Sequence, residues 1–314
     1  MNLISAAVDI GSHTARLLGA KVFSENGKLC LIPELTRRDY IFIASEMSSD
    51  KVIEKSSISR TITTIKNYTD LALSYNASQV NGIVTGVIRE AVNRDDFVRQ
   101  LNHIDGFNCR IISGEEEAIL TLKGVANSLE MPPDFILFDL GGGSTEFIFS
   151  GKDSTPKVIS LPLGCSTLTK RFLEKDEKGK NVFSKINKYI MEIMHRETGA
   201  YSSKNLIGTG GTVASVAAIC KNIRLDHINY KSLHKQEISF FEVDSLYSRV
   251  INTSTTQMIN NMHIEEARAK VLPAGLSILR YIMLYMKAES LTVSMSGLLE
   301  GIILSNTEKN SYEY

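Results

Sequence analysis

One stretch of the sequence places an acid directly before a run of glycines. Residues 136–149 read ILFDLGGGSTEFIF, so Asp139 ends an apolar run and three glycines follow it. Glycines let backbone N–H groups approach a ligand closely, and successive N–H groups in such a turn form a nest that suits phosphate. The acid would hold a hard cation such as Mg²⁺, which takes carboxylate, water and phosphate oxygens. The stretch therefore indicates a loop for phosphate and metal. The alternative is a tight hairpin turn in which Asp139 accepts hydrogen bonds.

A second stretch repeats this order near the N-terminus. Residues 6–18 read AAVDIGSHTARLL, with Asp9 at the end of an apolar run and Gly11 two residues later. An internal repeat of this kind suggests two related domains. Because apolar residues resume after each loop, we predict that each domain opens with a strand–loop–strand hairpin. The repeat favours the phosphate-binding interpretation over the plain turn.

Other phosphate-binding classes fit less well. The motif G-x-x-x-x-G-K-[ST] is absent, which excludes a Walker P-loop. A Rossmann loop should open into a helix, whereas residues 146–149 are aromatic and typical of a strand. A third glycine-rich stretch, LIGTGGTVASVAAICK at 206–221, does predict a strand, a loop and a buried helix. Its Gly210 and Gly211 could place N–H groups at a helix N-terminus against an anion. Val213 occupies the third glycine position of a dinucleotide motif, so a close strand–helix packing turn is an equal alternative.

The segments around these loops predict the elements that must position them. Apolar residues at helical spacing predict an amphipathic helix over 54–76, and a strand over 80–84 ends shortly before Arg89. A short strand at 110–112 leads into a helix at 113–126.

The start of that last helix, SGEEEA, contains one candidate base. Ser113 with Glu116 fits the capping box S-x-x-E, so Glu116 has a structural role, and Glu115 is expected to face solvent. Neighbouring like charges can raise the pKa of a carboxyl such as that of Glu117, and a raised carboxylate near phosphate could act as a general base. Spacing alone makes a surface position the simpler interpretation of Glu117.

Composition limits the classes of protein that fit. The 314 residues suggest about two domains, and 43% of them are hydrophobic. Basic and acidic residues balance at 35 each, which argues against a dedicated nucleic-acid binder. The four cysteines are far apart, so neither a zinc knuckle nor a disulfide framework is implied. We find no signal-peptide pattern and no apolar run of about 20 residues, and we expect a cytoplasmic, soluble globular protein without a membrane partner.

A set of eight motifs resembles one protein family. In order, they are AVDIGSHTARLL, TGVIREAVN, IISGEEEAILTLKGV, LFDLGGGSTEF, SLPLGCSTLTKRF, LIGTGGTVASVAAI, LPAGLSIL and VSMSGLLEG. The set resembles the exopolyphosphatase / guanosine pentaphosphate phosphohydrolase (Ppx/GppA) family, in a short two-domain form, over nearly the whole chain.

That resemblance implies a fold class. It is α/β, with two duplicated actin-like (ribonuclease H-like) ATPase domains and a cleft between them. We predict domain I over 1–124 and domain II over 125–301, with a C-terminal helix at 302–314 packing back on domain I.

The resemblance also implies a role for each matched residue. Glu117 is the implied catalytic base, Arg89 contacts phosphate, and Glu146 is a second essential carboxylate. The implied metal ligands are Asp139 and Asp9. The expected phosphate-binding residues are Gly11, Ser12, His13, Gly141, Gly142, Gly143 and Ser144, to which the third glycine-rich stretch adds Gly210 and Gly211.

His13 departs from the family, which commonly has asparagine at this position. A histidine could still donate to phosphate, and its charge would make binding depend on pH near neutrality. The alternative is a solvent-facing loop histidine.

The implied reaction is metal-dependent hydrolysis of the terminal phosphoanhydride of inorganic polyphosphate. Mg²⁺ is the expected cofactor, and Mn²⁺ would also suit the carboxylates. Five basic residues in 204–235 could track a polyanion, or they could form a solvated helix face.

Alternative functions stay open. Guanosine pentaphosphate is the alternative substrate, because members of the family overlap in substrate. Other classes are a kinase of the same superfamily and a non-catalytic polyphosphate- or nucleotide-binding sensor, and the presence of Glu117 and Asp139 favours the enzyme. Homodimers are common in the family, and the sequence carries no interface signature of its own.

Overall fold

The chain divides into two compact units. A computed structural model describes residues 4–151, 155–174, 180–199, 201, 203–225, 228–262 and 264–311. The first unit comprises Met1–Ser128 and Ser296–Tyr314, and the second comprises Leu129–Met295. The sequence places the boundaries at 124/125 and 301/302. In the structure the first boundary lies after Ser128, where the helix that begins at Gly114 ends.

The N-terminal part of the first unit alternates strands and helices. Its elements are β1 (Ile4–Ile10), β2 (Thr14–Glu25), β3 (Lys28–Tyr40), α1 (Ile43–Glu46), α2 (Lys55–Ser74), β4 (Ala77–Val84), a 3₁₀ turn (Gly86–Glu90), α3 (Arg94–Leu101), β5 (Phe107–Ile111) and α4 (Gly114–Ser128). The strands form one sheet in the order β3-β2-β1-β4-β5. The first three strands are antiparallel, whereas β1, β4 and β5 are parallel.

The second unit repeats this plan with additional helices. Its elements are β6 (Phe135–Leu140), β7 (Thr145–Ser150), β8 (Lys157–Leu161), α5 (Cys165–Leu168), a π-helical turn (Thr169–Leu173), α6 (Lys180–Glu197), β9 (Leu206–Thr209), α7 (Gly211–Cys220), α8 (Tyr230–Leu233), β10 (Glu237–Ser239), α9 (Phe240–Val250), α10 (Thr255–Met262), α11 (Glu266–Tyr285) and β11 (Ser290–Val293). The sheet order is β10-β11-β9-β6-β7-β8. Strands β6, β7 and β8 are antiparallel, and β6, β9 and β11 are parallel.

The chain then returns to the first unit in helix α12 (Leu298–Ser311), which packs on α4 and β1. Two glycines allow α4 and α12 to come close, because a Cβ atom on Gly124 or Gly301 would collide with backbone of the facing helix. The helix predicted at 302–314 begins earlier in the structure, at Leu298. Residues 312–314 lie outside the described part of the chain.

Side chains of β1 alternate between two helical layers. Val8 and Ile10 join a core that includes α2 and α3, whereas Ala7 faces the other way and joins Leu120 and Ile302. Successive strand residues point to opposite faces of a sheet, and a sheet covered on both faces has strands that are apolar throughout. In the second unit, Phe138 and Phe147 are fully buried in one core cluster that also includes residues of α7 and α11.

The sequence-based elements around the loops are confirmed. The helix expected at 54–76 is α2, and the strand expected at 80–84 is the end of β4. Residues 146–149 lie in β7, and the third glycine-rich stretch forms β9 and α7. None of the described helices has the length and apolar character needed to cross a bilayer.

Candidate active site

The two acid–glycine loops have the same backbone geometry. In the first hairpin Asp9 lies opposite Arg16, and Gly11 N donates to Thr14 O at 3.0 Å. In the second hairpin Asp139 lies opposite Glu146, and Gly141 N donates to Ser144 O, also at 3.0 Å. The repeat read from the sequence is therefore a repeat of structure, with one loop in each unit.

The carbonyl groups of the second loop are held by the start of α5. Gly141 O accepts a hydrogen bond from Cys165 N at 3.1 Å, and Gly142 O accepts one from Ser166 N at 2.8 Å. In a planar trans peptide, the carbonyl and the next residue's N–H point in opposite directions. The N–H groups of Gly142 and Gly143 therefore point away from α5, as an anion-binding nest requires.

The first loop is held in the same way by the segment after β3. Ser12 O accepts from Ala44 N at 2.8 Å, and His13 O accepts from Ile41 N at 2.9 Å. The N–H groups of His13 and Thr14 consequently point away from that segment. Each unit thus has one loop whose backbone donors point away from the segment that holds it.

The His13 side chain does not face solvent. It is 8% exposed, and its ring lies edge-on to Tyr40 and Phe42 at centroid distances of 5.3 and 5.2 Å. These contacts with Tyr40 and Phe42 exclude the alternative of a solvent-facing loop histidine, which the sequence left open.

A sharp turn after β4 touches the first loop. Ser12 Oγ accepts a hydrogen bond from Val87 N at 3.0 Å. Gly86 has φ +65°, and a Cβ atom on it would collide with Ser12 Oγ. A glycine is needed here both for the left-handed backbone and for the close approach of the two segments.

Arg89 and Glu117 meet at the carboxyl ends of the parallel strands in the first unit. Arg89 follows β4, and Glu117 lies in the first turn of α4, which follows β5. Because the carboxyl ends of parallel strands share one edge of a sheet, the two side chains come together as an ion pair. Glu117 is 7% exposed. The surface position suggested by spacing is wrong for Glu117, and the pair holds its carboxylate in place.

The other two glutamates of that run are peripheral. Glu115 is exposed, as expected. Glu116 N donates to Ser113 Oγ at 3.1 Å, while its carboxylate pairs with Arg110. The Ser113 side chain therefore caps the start of α4, as the predicted capping box requires.

Asp9 is held by two side chains. Arg16 Nε and Nη2 lie 3.0 and 2.7 Å from Asp9 Oδ2, and Thr85 Oγ1 donates to Asp9 Oδ1 at 3.1 Å. Asp9 is 4% exposed. No motif in the sequence indicates a role for Arg16, although its position opposite Asp9 follows from the length of the hairpin loop.

Asp139 and Glu146 form a buried pair of carboxylates on neighbouring strands. They are 7% and 2% exposed and occupy opposite positions of β6 and β7. Ser160 Oγ donates to Glu146 Oε1 at 2.8 Å. Gly210 has φ +100°, and a Cβ atom on it would lie 2.6 Å from Asp139 Oδ1. Two hard oxygen ligands beside a backbone nest fit a divalent cation.

The loop of the third glycine-rich stretch has a feature that the sequence did not reveal. A Cβ atom on Gly211 would lie 2.9 Å from Nη2 of Arg268, a residue that is 6% exposed. Nothing local distinguishes Arg268 in the sequence, because only the packing of α11 on α7 brings it to the loop.

One residue of the basic stretch has a structural partner. Lys221 Nζ lies 3.0 Å from Glu242 Oε1. This ion pair is consistent with the alternative of a helix-surface role for Lys221.

The chain is similar to one protein family along most of its length. A sequence model of the Ppx/GppA phosphatase family matches residues 24–310. Two structures of the Ppx/GppA protein of Aquifex aeolicus, each 25% identical, have TM-scores of 0.79 and 0.81, covering 96% and 98% of this chain and 99% and 98% of theirs. The resemblance read from the motifs is confirmed, and so is the predicted α/β fold class with two duplicated domains.

Two further relatives extend the comparison. An exopolyphosphatase structure from Cytophaga hutchinsonii has a TM-score of 0.85 at 18% identity, with 98% of each chain covered, a likeness of fold alone. A bifunctional 3-dehydroquinate synthase/phosphatase of Fusobacterium nucleatum is 25% identical over 317 residues, which cover 98% of this chain. The chain spans about half, 47%, of the length of that relative.

Proposed function

We propose that this member of the Ppx/GppA phosphatase family is an exopolyphosphatase. Such a phosphoanhydride hydrolase releases the terminal phosphate of inorganic polyphosphate. The observation that carries the proposal is the duplicated nest. Each unit has backbone N–H groups in its own hairpin loop that point away from the segment fixing the loop, and each such nest suits a phosphate group.

The first unit supplies the proton-transfer group in this proposal. Glu117 accepts a proton from the attacking water while the water oxygen bonds to the terminal phosphorus. The bond from that phosphorus to the bridging oxygen breaks, and the shortened chain leaves with the bridging oxygen. Arg89 holds the Glu117 carboxylate and offers its remaining N–H groups to phosphate. Phosphoryl transfer of this kind depends mostly on positioning and electrostatics.

The second unit supplies the cation-binding residues. Asp139 and Glu146 would hold Mg²⁺ or Mn²⁺, and such an ion neutralises charge on phosphate oxygens when bound. No cluster of three or more His, Cys, Asp or Glu side chains suited to a metal is found among the residues that the structure describes. Sharing the ion with phosphate and water is usual for Mg²⁺, which is often held by one or two carboxylates.

One observation favours guanosine pentaphosphate as a second candidate substrate. Tyr40 and Phe42 stack at a centroid distance of 5.6 Å, and Arg38 and Arg60 lie over their rings at 5.4 and 5.9 Å. Partly buried aromatic and guanidinium faces of this kind can stack on a base. Polyphosphate has no base and would leave these faces unused.

The test is phosphate release from long-chain polyphosphate and from guanosine pentaphosphate, with and without Mg²⁺. We expect faster Mg²⁺-dependent release from polyphosphate, and a loss of about 10²–10⁴-fold in kcat for Glu117→Gln because the general base is removed. The matched control is Glu115→Gln, which changes an exposed glutamate in the same helical turn.

Two results would overturn parts of the proposal. Faster release from guanosine pentaphosphate would reverse the choice of substrate. Equal loss in the Glu115 and Glu117 variants would show that Glu117 is not the base.

A further inference from the structure

The second unit contains a cavity of about 620 Å³ among its helices. Cavities of this size are typical of sites for small molecules. The apolar part of the lining comes from Leu173, Val182, Phe183, Val250, Met258 and Pro273. The polar part comes from residues 252–255, and Glu174 and Lys270 are the charged residues of the lining. Such a lining suits a molecule with an apolar body and a polar head.

Two irregular helical turns border this cavity. Pro273 lies inside α11 and has no N–H to donate to the carbonyl of Ala269. Thr169–Leu173 form a π turn, in which Glu174 N donates to Thr169 O at 3.2 Å. Turns of this kind are frequent at functional sites. Because both turns contribute lining residues, the cavity lies where regular helix geometry is interrupted.

The polar part of the lining favours an anionic head. The N–H groups of Thr255 and Thr256, at the start of α10, have no acceptor among the residues that the structure describes. The start of a helix carries partial positive charge, and Thr255 lines the cavity. Glu174 and Lys270 are both exposed and offset each other, so the N–H groups decide in favour of a carboxylate.

One wall of the cavity continues into the support of a phosphate loop. The π turn follows α5 directly, and Thr169 Oγ1 donates to Cys165 O at 2.7 Å. Cys165 N in turn donates to Gly141 O of the second hairpin loop at 3.1 Å. A molecule that packs against Leu173 would therefore immobilise the segment that holds this loop.

We propose that the cavity binds a small amphipathic carboxylate, of the class of medium-chain fatty acids, and that this ligand strengthens phosphate binding at the second hairpin loop. The aliphatic chain packs on the apolar lining, and the carboxylate accepts hydrogen bonds from the start of α10 and from Lys270. The effect on phosphate rests on the proposed function, whereas binding of the carboxylate does not.

Isothermal titration calorimetry with decanoate tests the site, with decanol as the uncharged probe. Lys270→Met should weaken decanoate binding about threefold to fivefold, as expected for one ion pair at an exposed position. The matched control is Glu266→Gln, which removes the partner of Lys270 and keeps the cation, so decanoate should bind at least as tightly as to wild type. Decanol should not distinguish the three proteins. No decanoate binding by wild type, or equal affinity of all three proteins for it, would overturn the proposal.

A second variant fills the cavity itself. Ile251 is partly exposed and lines the cavity, and Ile251→Trp should weaken the binding of both probes because it occupies their space. Unchanged binding would place the probes elsewhere and contradict the assignment. If this variant does not fold, the comparison of Lys270→Met with Glu266→Gln still decides.

Hydrolysis assays test the link to the phosphate loop. Saturating decanoate should lower the KM of wild type for polyphosphate about fivefold, the lower end of typical allosteric coupling. It should leave kcat little changed and have no effect on Ile251→Trp. An unchanged KM with decanoate bound would show that the cavity does not regulate this loop. If polyphosphate is not hydrolysed at all, the proposed function fails, and calorimetry still decides whether the carboxylate site exists.

Discussion

The two hairpins share a backbone but differ in charge at one position. Arg16 in the first hairpin and Glu146 in the second each lie opposite the acid at the end of the preceding strand. Asp9 is therefore bound by a guanidinium from its own hairpin, whereas Asp139 is accompanied by a second carboxylate. Opposite charges stabilise a cross-strand pair and like charges destabilise it.

This difference separates two roles that the sequence repeat made look alike. Asp9 and Asp139 occupy the same place, and motif matching suggested a metal role for both. We propose that Asp9, which has Arg16 as its counter-ion, orders the first loop. In this proposal a divalent cation is bound only by the second hairpin. A duplicated motif thus keeps its geometry while one cross-strand residue changes its chemistry.

The largest expected effect comes from giving the second hairpin the charge of the first. In Glu146→Arg a guanidinium would lie against Asp139, so Mn²⁺ binding measured by calorimetry should be lost. Polyphosphate hydrolysis should fall by about 10²–10³-fold, as for removal of one preorganised electrostatic group. The control is Ser160→Ala, which removes only the hydrogen bond to Glu146. Retained Mn²⁺ binding in Glu146→Arg would contradict the assignment of the cation to this pair.

A smaller effect is expected from removing the counter-ion of the first hairpin. Arg16→Met leaves the buried Asp9 carboxylate without its guanidinium, which should cost about 1–3 kcal/mol of unfolding free energy. Arg16→Lys should restore part of it, and Arg37→Met, on an exposed position of the adjacent strand, should cost little. Urea denaturation measures all three. An Arg16→Met protein as stable as wild type would show that Arg16 does not balance Asp9.

The smallest effect is expected for Glu300, whose carboxyl interacts electrostatically with Arg16. Burial raises the pKa of Glu300 above its ordinary 4.5, although the N–H of Gly297 and the charge of Arg16 act in the other direction. Because the pKa of Glu300 is higher in the folded chain than in the unfolded chain, its neutral carboxyl favours the folded state. This contribution to stability is complete below about pH 4.5. That stability is lost as pH rises through the folded-state pKa. Glu300→Gln should remove this decline, which denaturation curves at a series of pH values from 4 upward would reveal.

The pH dependence also has a clear contrary outcome. If the stabilities of wild type and Glu300→Gln run parallel across the whole pH series, Glu300 does not titrate differently in the folded and unfolded chains. Burial would then not dominate its environment.

Local patterns were sufficient for the loops and for the elements next to them. Asp139 before three glycines, and Asp9 before Gly11, predicted hairpins because glycine permits the backbone that such loops need. The aromatic run 146–149 predicted a strand in place of a Rossmann helix, and β7 is that strand. These features depend on residues within a few positions of one another, so a single sequence contains them.

Contacts between residues that are far apart in the sequence could not be predicted in the same way. Glu117 looked like a surface residue in a triple glutamate, and its burial against Arg89 depends on two parallel crossovers that bring separate strand ends to one edge. The proximity of Arg268 to Gly211 depends on the packing of α11. No periodicity or motif encodes such contacts, because each forms only after distant segments have packed.

The sequence by itself determined the duplicated hairpins, the glycine loops and membership of the family, since these follow from local backbone chemistry and motif order. Only the tertiary structure decided which charges meet. It paired Asp9 with Arg16, set Asp139 beside Glu146, and buried Arg268 at the start of α7. The physical reason is that strand register and helix packing, not sequence proximity, set the distances over which charges act.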